Sequence, residues 1–188
     1  MEAEKFVLYT VEDYLEAEKL REVRHEYLDG TVHAMSGGTL RHNDIAVSIA
    51  SIFRRLFRGG PCRVNLADVK VRARTAFGEA FYYPDVVVAC DPNDQREFFL
   101  ENPTIIFEVL SPSTESVDQR EKWFAYQTIP SLAHYVLVAQ HAVLVEWFRR
   151  EGDGWTRLLL TLAEDALDFP ERGVTMTLSE VYEGIAFD

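Results

Sequence analysis

Two short and almost uninterrupted apolar runs lie near the middle of the chain. They occupy residues 86–88 and 104–107, and their β-branched and aromatic side chains are typical of strands that are buried on both faces. A third apolar run at 134–139 follows a segment with a helical pattern at about 116–127. Strand, helix and strand in this order predict a right-handed parallel crossover between the second and third runs.

The first part of the chain predicts a short helix, a hairpin and a long core helix. Thr10-Val-Glu-Asp13 has the spacing of a helix capping box, and the dipeptide Asp29-Gly30 is a strong signal for a two-residue hairpin turn. Between Leu40 and Phe57 apolar residues recur at helical intervals, and Gly59-Gly60 ends the pattern. We therefore expect this helix to pack one face against the strands.

The remaining segments add strands to the central runs. Over residues 62–74 apolar and polar side chains alternate as they would in one strand. The alternation shifts by one position near Asp68, which predicts a β-bulge or a bend. Near the end of the chain, apolar segments separated by Gly152-Asp-Gly154 and by Pro170 predict further strands. These strands are expected at 142–148, 155–162 and 174–178, with a short helix at 179–182.

The chain 1–188 is expected to form one domain of the mixed α/β class, because 47% hydrophobic residues are ample for a single core. We place the core at about 40–140, the N-terminal helix and hairpin at 10–36 and the C-terminal strands at 142–180. No apolar run is long enough to cross a membrane, and the first residues lack a signal-peptide pattern. The sequence therefore predicts a cytoplasmic protein without a membrane partner.

Charge and cysteine content restrict the classes of function further. The net charge of −12 argues against attachment to nucleic acid by bulk electrostatics, although a local basic groove is compatible with it. Cys62 and Cys90 both lie in apolar, strand-like runs. We expect them to be reduced core thiols, because cytoplasmic proteins rarely keep disulfides and this spacing does not suit a zinc site.

Each of the two central apolar runs carries one acid at its end. Asp85 opens the first run and Glu108 ends the second. An ionised carboxylate beside a buried strand costs several kcal/mol unless a cation faces it, and Lys122 on the following helix is a candidate cation. The alternatives are a strand-start residue for Asp85 and a turn cap for Glu108. Lys122 has its own alternative, a surface pair with Asp118 four positions earlier.

Three sequence blocks extend this pattern, namely HEYLDG near the start, EVLSPST at the second acid and DQREKWFAY on the following helix. With the order of elements and the pair Pro84-Asp85, they resemble the restriction-endonuclease-like, or PD-(D/E)XK, nuclease superfamily, and most closely its Uma-type family of bacterial endonucleases. The resemblance covers about residues 10–180. It implies a mixed α+β fold with a central mixed β-sheet, flanking helices and extra C-terminal strands.

The chemistry implied by the resemblance is Mg²⁺-dependent hydrolysis of phosphodiester bonds in DNA, with Mn²⁺ as an alternative ion. The implied metal ligands are Asp85, Glu108 and the main-chain oxygen of Val109, which suit an ion that takes hard oxygen ligands and keeps several waters. The superfamily places a lysine two positions after the second acid, where this chain has Leu110. Some branches carry that lysine on the following helix instead, and Lys122 is the implied replacement.

Other residues are candidates for the same site or for contacts with the nucleic acid. The resemblance implies that Glu26 is an early acid at the metal site, whereas the residue pattern equally allows Glu26 to face Arg24 or a neighbouring strand. His42, near the start of the core helix, is a candidate for a phosphate contact, with a local hydrogen-bonding role as the alternative. The basic candidates for nucleic-acid binding are Arg54, Arg55 and Arg58 on the core helix and Lys70, Arg72 and Arg74, which the alternation places on the outward side of the next strand.

Two classes of function follow from these observations. The first is a DNA endonuclease that works as a homodimer or higher homo-oligomer, because cutting both strands of a duplex with one active site per chain requires two chains. The second is a catalytically silent binding or assembly module that keeps the nuclease fold. The sequence blocks that carry the resemblance favour the first class, while Leu110 in place of the strand lysine and the acidic net charge keep the second class open.

Overall fold

The structure of the protein is a computed structural model that describes residues 8–35, 37–111 and 118–187. The predicted start of the third helix, near residue 116, lies outside these ranges. The helices are α1 (Val11–Glu18), α2 (Leu40–Leu56), α3 (Trp123–Tyr126) and α4 (Leu178–Val181), and a wider π-helical turn, Asp118–Lys122, leads directly into α3.

The larger of the two main sheets has six strands and lies at the centre of the domain. In spatial order they are β11 (Gly154–Leu160), β10 (Val145–Glu151), β9 (His134–Ala139), β8 (Ile105–Leu110), β6 (Val86–Ala89) and β3 (Arg63–Leu66). β8 and β9 run parallel, as the predicted crossover requires, and the other neighbours pair antiparallel. β6, β8 and β9 are buried along their whole length, as their apolar runs predict.

A second sheet of five strands packs against one face of the six-stranded sheet. Its spatial order is β2 (Thr31–Ala34), β1 (His25–Leu28), β5 (Glu79–Tyr82), β4 (Lys70–Arg74) and β7 (Phe99–Leu100). The predicted hairpin joins β1 to β2 through Asp29 and Gly30, whose φ angles are 46° and 96°. Positive φ at both positions is what a type I′ hairpin turn requires, and glycine adopts it without strain.

Buried side chains divide the domain into layers. Side chains such as Tyr82 and Ile106 fill the space between the two sheets. On the other face of the six-stranded sheet, α2 packs through Ile45, Ile49 and Phe53, together with a hairpin of β12 (Ala166–Phe169) and β13 (Val174–Thr177). The result is the mixed α+β fold, with flanking helices, that the sequence predicts. β12 is an additional strand that the apolar pattern did not indicate.

The prediction of one strand over 62–74 is wrong. β3 belongs to the six-stranded sheet and β4 to the five-stranded sheet, and the chain passes from one to the other through Ala67, whose φ is 27°. The change of parity near Asp68 is therefore a crossing between sheets. A bulge and a crossing produce the same change of alternation, so the sequence pattern alone does not separate them.

The expectation of two reduced thiols is also wrong, because Cys62 and Cys90 form a disulfide. The register explains why they meet. Arg63 pairs with Ala89 where β3 lies beside β6, so the residues just beyond that pair are neighbours as well. Among the described residues, no helix is long and apolar enough to cross a membrane.

We expect replacement of both cysteines by serine to lower the free energy of unfolding by about 3–4 kcal/mol, because the bridge closes a loop between residues 28 positions apart and restricts the unfolded chain. Urea unfolding with and without reductant measures this difference. The reductant should destabilise the wild-type chain and leave the double variant unchanged. Two thiols titrating in the untreated, denatured chain would contradict the disulfide.

Candidate active site

Asp85 stands immediately before β6, at the point where the ladder between β6 and β8 ends. The last paired residues are Val86 and Phe107. Beyond them, the side chain of Asp85 hydrogen-bonds to the backbone of β8. Its Oδ2 accepts the backbone N–H of Val109 at 2.6 Å, and its Oδ1 lies 2.8 Å from Nε2 of His42. The carboxylate is thus fixed in direction by a main-chain donor and an imidazole.

The carbonyl of Val109 lies on the same edge of β8 as its N–H. The N–H and C=O of one strand residue point to the same neighbouring strand, and the Val109 N–H points to Asp85. Leu110 has the opposite parity, and its carbonyl accepts a hydrogen bond from Gln140 Nε2 at 2.9 Å. The Val109 oxygen is therefore directed towards the side of the strand that carries Asp85.

His42 reaches Asp85 because the start of α2 is held at the end of β9 through Gln140. Thr39 caps the helix by accepting the His42 N–H at 3.1 Å, and its own hydroxyl donates to Gln140 Oε1 at 2.6 Å. The loop needs glycine at position 38, since a Cβ on Gly38 would lie only 2.9 Å from His42 Cδ2. This arrangement favours the local hydrogen-bonding role of His42 over a direct phosphate contact.

Glu108 projects from β8 into a buried setting, with only 2% of the residue exposed. Its Oε1 accepts a hydrogen bond from the Tyr126 hydroxyl at 3.2 Å and lies 3.4 Å from the Lys122 ammonium. Burial, and then the charge of Glu108, raise the pKa of Tyr126 well above its usual range. The tyrosine therefore stays protonated and acts as a donor to the carboxylate.

Lys122 joins Glu108 to Glu26. Its Nζ is 3.0 Å from Glu26 Oε1 and 3.4 Å from Glu108 Oε1, and the residue is 5% exposed. Glu26 also accepts the backbone N–H of Tyr83 at 3.3 Å. Arg24 instead pairs with Asp68 at 3.2 Å. Of the two alternatives for Glu26, the structure therefore has the contact with a neighbouring strand, through Tyr83 directly after β5.

Asp85, Glu108 and Lys122 line one cleft of about 410 Å³, together with His42 and the backbone of Val109. The structure thus brings together the candidate residues at the ends of adjacent strands, and Glu26 reaches the cleft through Lys122. The Asp118 alternative for Lys122 falls on a side chain outside the described part of the structure.

The basic candidates do not gather at this cleft. Lys70 was expected on the outward side of its strand, but it is 7% exposed, and its Nζ donates to the Tyr83 hydroxyl at 3.2 Å. Burial lowers the pKa of this lysine. Arg72 is held in ion pairs with Glu79 and Glu101. The parity of β4 is as predicted, since Val71 and Ala73 are buried between the sheets. Lys70 is buried all the same because Tyr83, which bonds to Glu18 of α1, covers its face of the strand.

Arg74 is exposed and lines a separate surface depression with Arg72 and Thr128. Arg54, Arg55 and Arg58 line another groove at the far end of α2. Sequence reasoning passed over Tyr83, whose hydroxyl also donates to Glu18 at 3.1 Å behind the cleft. The available signal was its position directly before Pro84-Asp85.

The cleft offers oxygen ligands of the kind that Mg²⁺ prefers. Among the residues that the structure describes, no group of three His, Cys, Asp or Glu side chains converges as a preformed metal site. Mg²⁺ does not need one, since it keeps several waters and is commonly held by one or two carboxylates. Asp85, Glu108 and the carbonyl of Val109 are a hard donor set that fits this ion, and Mn²⁺ shares the preference.

Several known proteins are similar to this chain. A family model described as "Uma2: Putative restriction endonuclease" matches residues 11–181. One uncharacterised protein of Synechocystis sp. (strain ATCC 27184 / PCC 6803 / Kazusa) is 34% identical over 177 residues, 94% of this chain and 92% of the relative. A second protein of that organism is 28% identical over 162 residues, 85% of this chain and 90% of the relative.

The fold is similar to the crystal structure of a "putative nuclease belonging to DUF820" from Anabaena variabilis ATCC 29413. The TM-score is 0.74 and the identity 16%, over 93% of this chain and 97% of that chain. At this level of identity the likeness establishes a shared fold, and the function must be argued from the residues of this chain.

Proposed function

This chain belongs to the Uma2 family of nuclease-like proteins, and from that premise we propose that it is a metal-dependent endonuclease that hydrolyses phosphodiester bonds of DNA. The observation that carries the proposal is the position of Lys122. Its ammonium lies 3.0 Å from Glu26 and 3.4 Å from Glu108, in the cleft that Asp85 also lines. Lys122 thus lies beside Glu108, although it comes from the helical segment. The strand position where the superfamily has its lysine is occupied by Leu110 in this chain.

We assign Asp85, Glu108 and the Val109 carbonyl as the groups that would hold Mg²⁺ or Mn²⁺. A divalent ion bound there supplies a water of lowered pKa and neutralises negative charge on the phosphate. Both carboxylates are held in place by hydrogen bonds. His42 contacts Asp85, and Tyr126 donates to Glu108. Preorientation of this kind reduces the reorganisation needed when a charged ligand arrives.

In this proposal, Lys122 has the role of the catalytic cation. Its charge, buried and flanked by two acids, is placed to stabilise a phosphate oxygen or to orient the attacking water. Glu26 acts as a positioning residue, because it holds the ammonium from the side opposite Glu108. The buried setting strengthens these interactions relative to water.

We also propose that the chain forms a homodimer. β11 is an edge strand of the six-stranded sheet, and Leu159 on it is 60% exposed. An unpaired edge with apolar side chains invites pairing with a second copy. The cytoplasmic location stays a prediction from the sequence.

We expect Mg²⁺ or Mn²⁺ to stabilise the wild-type chain, because an ion that binds only the folded state relieves the repulsion between Asp85 and Glu108. At one hundred times the dissociation constant the gain is about 2.7 kcal/mol, or roughly 5–10 °C in Tm for a domain of this size. Thermal unfolding against metal concentration measures the effect.

The matched control for this titration is Asp153→Asn, in the turn between β10 and β11, which should respond to metal as the wild type does. Asp85→Asn should not respond. If the wild type shows no metal response, or if Asp85→Asn responds equally, then the metal site is not at this cleft and the silent assembly module becomes the better account.

A further inference from the structure

A groove of about 850 Å³ lies outside the candidate active site, between the end of α2 and the start of β3. Four arginines line it, and its other polar side chains are Ser51 and Asn65. In the part of the chain that the structure describes, no acid belongs to this lining. The arginines are Arg54, Arg55, Arg58 and Arg63. In a protein with a net charge of −12, this concentration of positive charge is a local exception.

The groove follows from the way in which α2 and β3 meet. α2 buries Ile49 and Phe53 against the sheet, which leaves the face that carries Arg54 in solvent. β3 is an edge strand, and Arg63 is exposed on it. A guanidinium group stays charged at every accessible pH and can donate two parallel hydrogen bonds to the oxygens of one phosphate. The surface therefore suits a ligand with several phosphates.

The groove and the candidate active site both lie along the line where α2 passes β3. On α2, Asn43 lines the cleft and Arg54 lines the groove, with the exposed residues Val47 and Ser51 between them. Their spacing of four, four and three positions keeps all four on one face of the helix. On β3 the chain runs in the opposite direction, from Arg63 at the groove towards Ala67 at the cleft.

We propose that this groove, the arginine groove, binds the phosphate backbone of duplex DNA beyond the point of cleavage. The inference rests on the proposed nuclease function. It adds how far along the duplex, and on which side of the cleft, the protein contacts the DNA. Eleven residues of helix between Asn43 and Arg54 span about 16 Å. Phosphates of one strand rise about 3.4 Å each along a duplex, so the groove meets the DNA about five base pairs from the cleft.

Contacts of this kind position a duplex without reading its sequence, because they reach phosphates and not base edges. The arginine groove therefore implies that the substrate must extend past the cleavage point on one side. A duplex that is too short to reach the groove loses these contacts.

The test measures binding by the Asp85→Asn chain without metal, so that cleavage does not interfere. Fluorescence anisotropy is followed against salt for a duplex of about thirty base pairs and for one of about eight. The short duplex, centred on the cleft, extends about four base pairs to either side and falls short of the predicted five-base-pair reach. In this background, Arg54→Ala with Arg58→Ala removes two groove charges. The matched control is Lys19→Ala with Arg96→Ala, two exposed basic residues outside the groove and away from β11, which removes the same net charge elsewhere.

We expect the groove variant to flatten the slope of log affinity against log salt by about 1.8, since each lost phosphate contact contributes about 0.9. It should also lose the preference for the long duplex, and Arg54→Lys with Arg58→Lys should restore most of the slope. The control variant should match the parent chain.

Equal slopes for the groove and control variants, with the parent chain still binding, would overturn the groove and leave the nuclease proposal standing. Groove-dependent binding by a wild-type chain that does not cut plasmid DNA would support the groove and overturn the nuclease. No binding by any variant would overturn both.

Discussion

Asp85→Asn should remove metal-dependent cleavage of supercoiled plasmid DNA at low salt, with a loss of more than about 10³-fold. A single preorganised electrostatic contact contributes about 10²–10³-fold to a rate, and loss of a metal ligand weakens several such contacts together. Asparagine keeps the size of the side chain and can still accept the Val109 N–H. The variant should therefore fold, and the loss should appear in the cleavage rate alone.

DNA binding separates this effect from general damage. Asp85→Asn removes one negative charge from a site that must receive phosphate, so its affinity for DNA should equal or exceed that of the wild type. Asp44→Asn, on the exposed surface of α2, is the control for the loss of an acid and should cleave normally. Cleavage that survives Asp85→Asn would assign the activity to another site or to a contaminating nuclease.

Lys122→Met should slow cleavage by about 10²-fold or more and should also destabilise the metal-free chain by about 3–5 kcal/mol. Methionine keeps most of the volume of the side chain, but it leaves Glu26 and Glu108 without the cation that lies between them. Removing one partner of a buried ion pair strands the other charge, and this accounts for the size of the expected loss of stability.

A double-mutant cycle distinguishes the two roles of Lys122. Adding Glu108→Gln to Lys122→Met should recover part of the stability, because one of the two stranded charges is gone, while cleavage becomes undetectable. Lys19→Met breaks the exposed pair with Glu16 and should cost less than about 1 kcal/mol. Full cleavage by Lys122→Met would show that this lysine is only structural.

The sequence could predict the centre of the site because its geometry follows from strand order. Asp85 and Glu108 end apolar runs that become β6 and β8, and antiparallel neighbours bring the start of one strand beside the end of the other. A parallel crossover then returns the chain over the same region, which brings Lys122 within reach of Glu108. Local pattern and topology here lead to the same contacts.

The predictions for the cysteines and for Lys70 are wrong because these contacts depend on which elements pack together in the fold. Cys62 and Cys90 pair because β3 lies beside β6, and spacing in the sequence does not indicate that choice. The pattern predicts Lys70 in solvent because its face of β4 carries polar residues, but Tyr83 and Glu18 of α1 cover that face. Alternation gives the face of a residue within a strand and not what packs against that face.

The crossing at Ala67 divides the candidate site between two sheets. Glu26 comes from β1 of the five-stranded sheet, whereas Asp85 and Glu108 adjoin the six-stranded sheet. Lys122 bridges this boundary, and the apolar layer around Tyr82 and Ile106 holds the sheets together. If the sheets separate, each keeps its own ladders of hydrogen bonds, but the ammonium loses one of its acids. The proposed activity thus requires docked sheets, and it should vanish in a partly open state whose secondary structure is still intact.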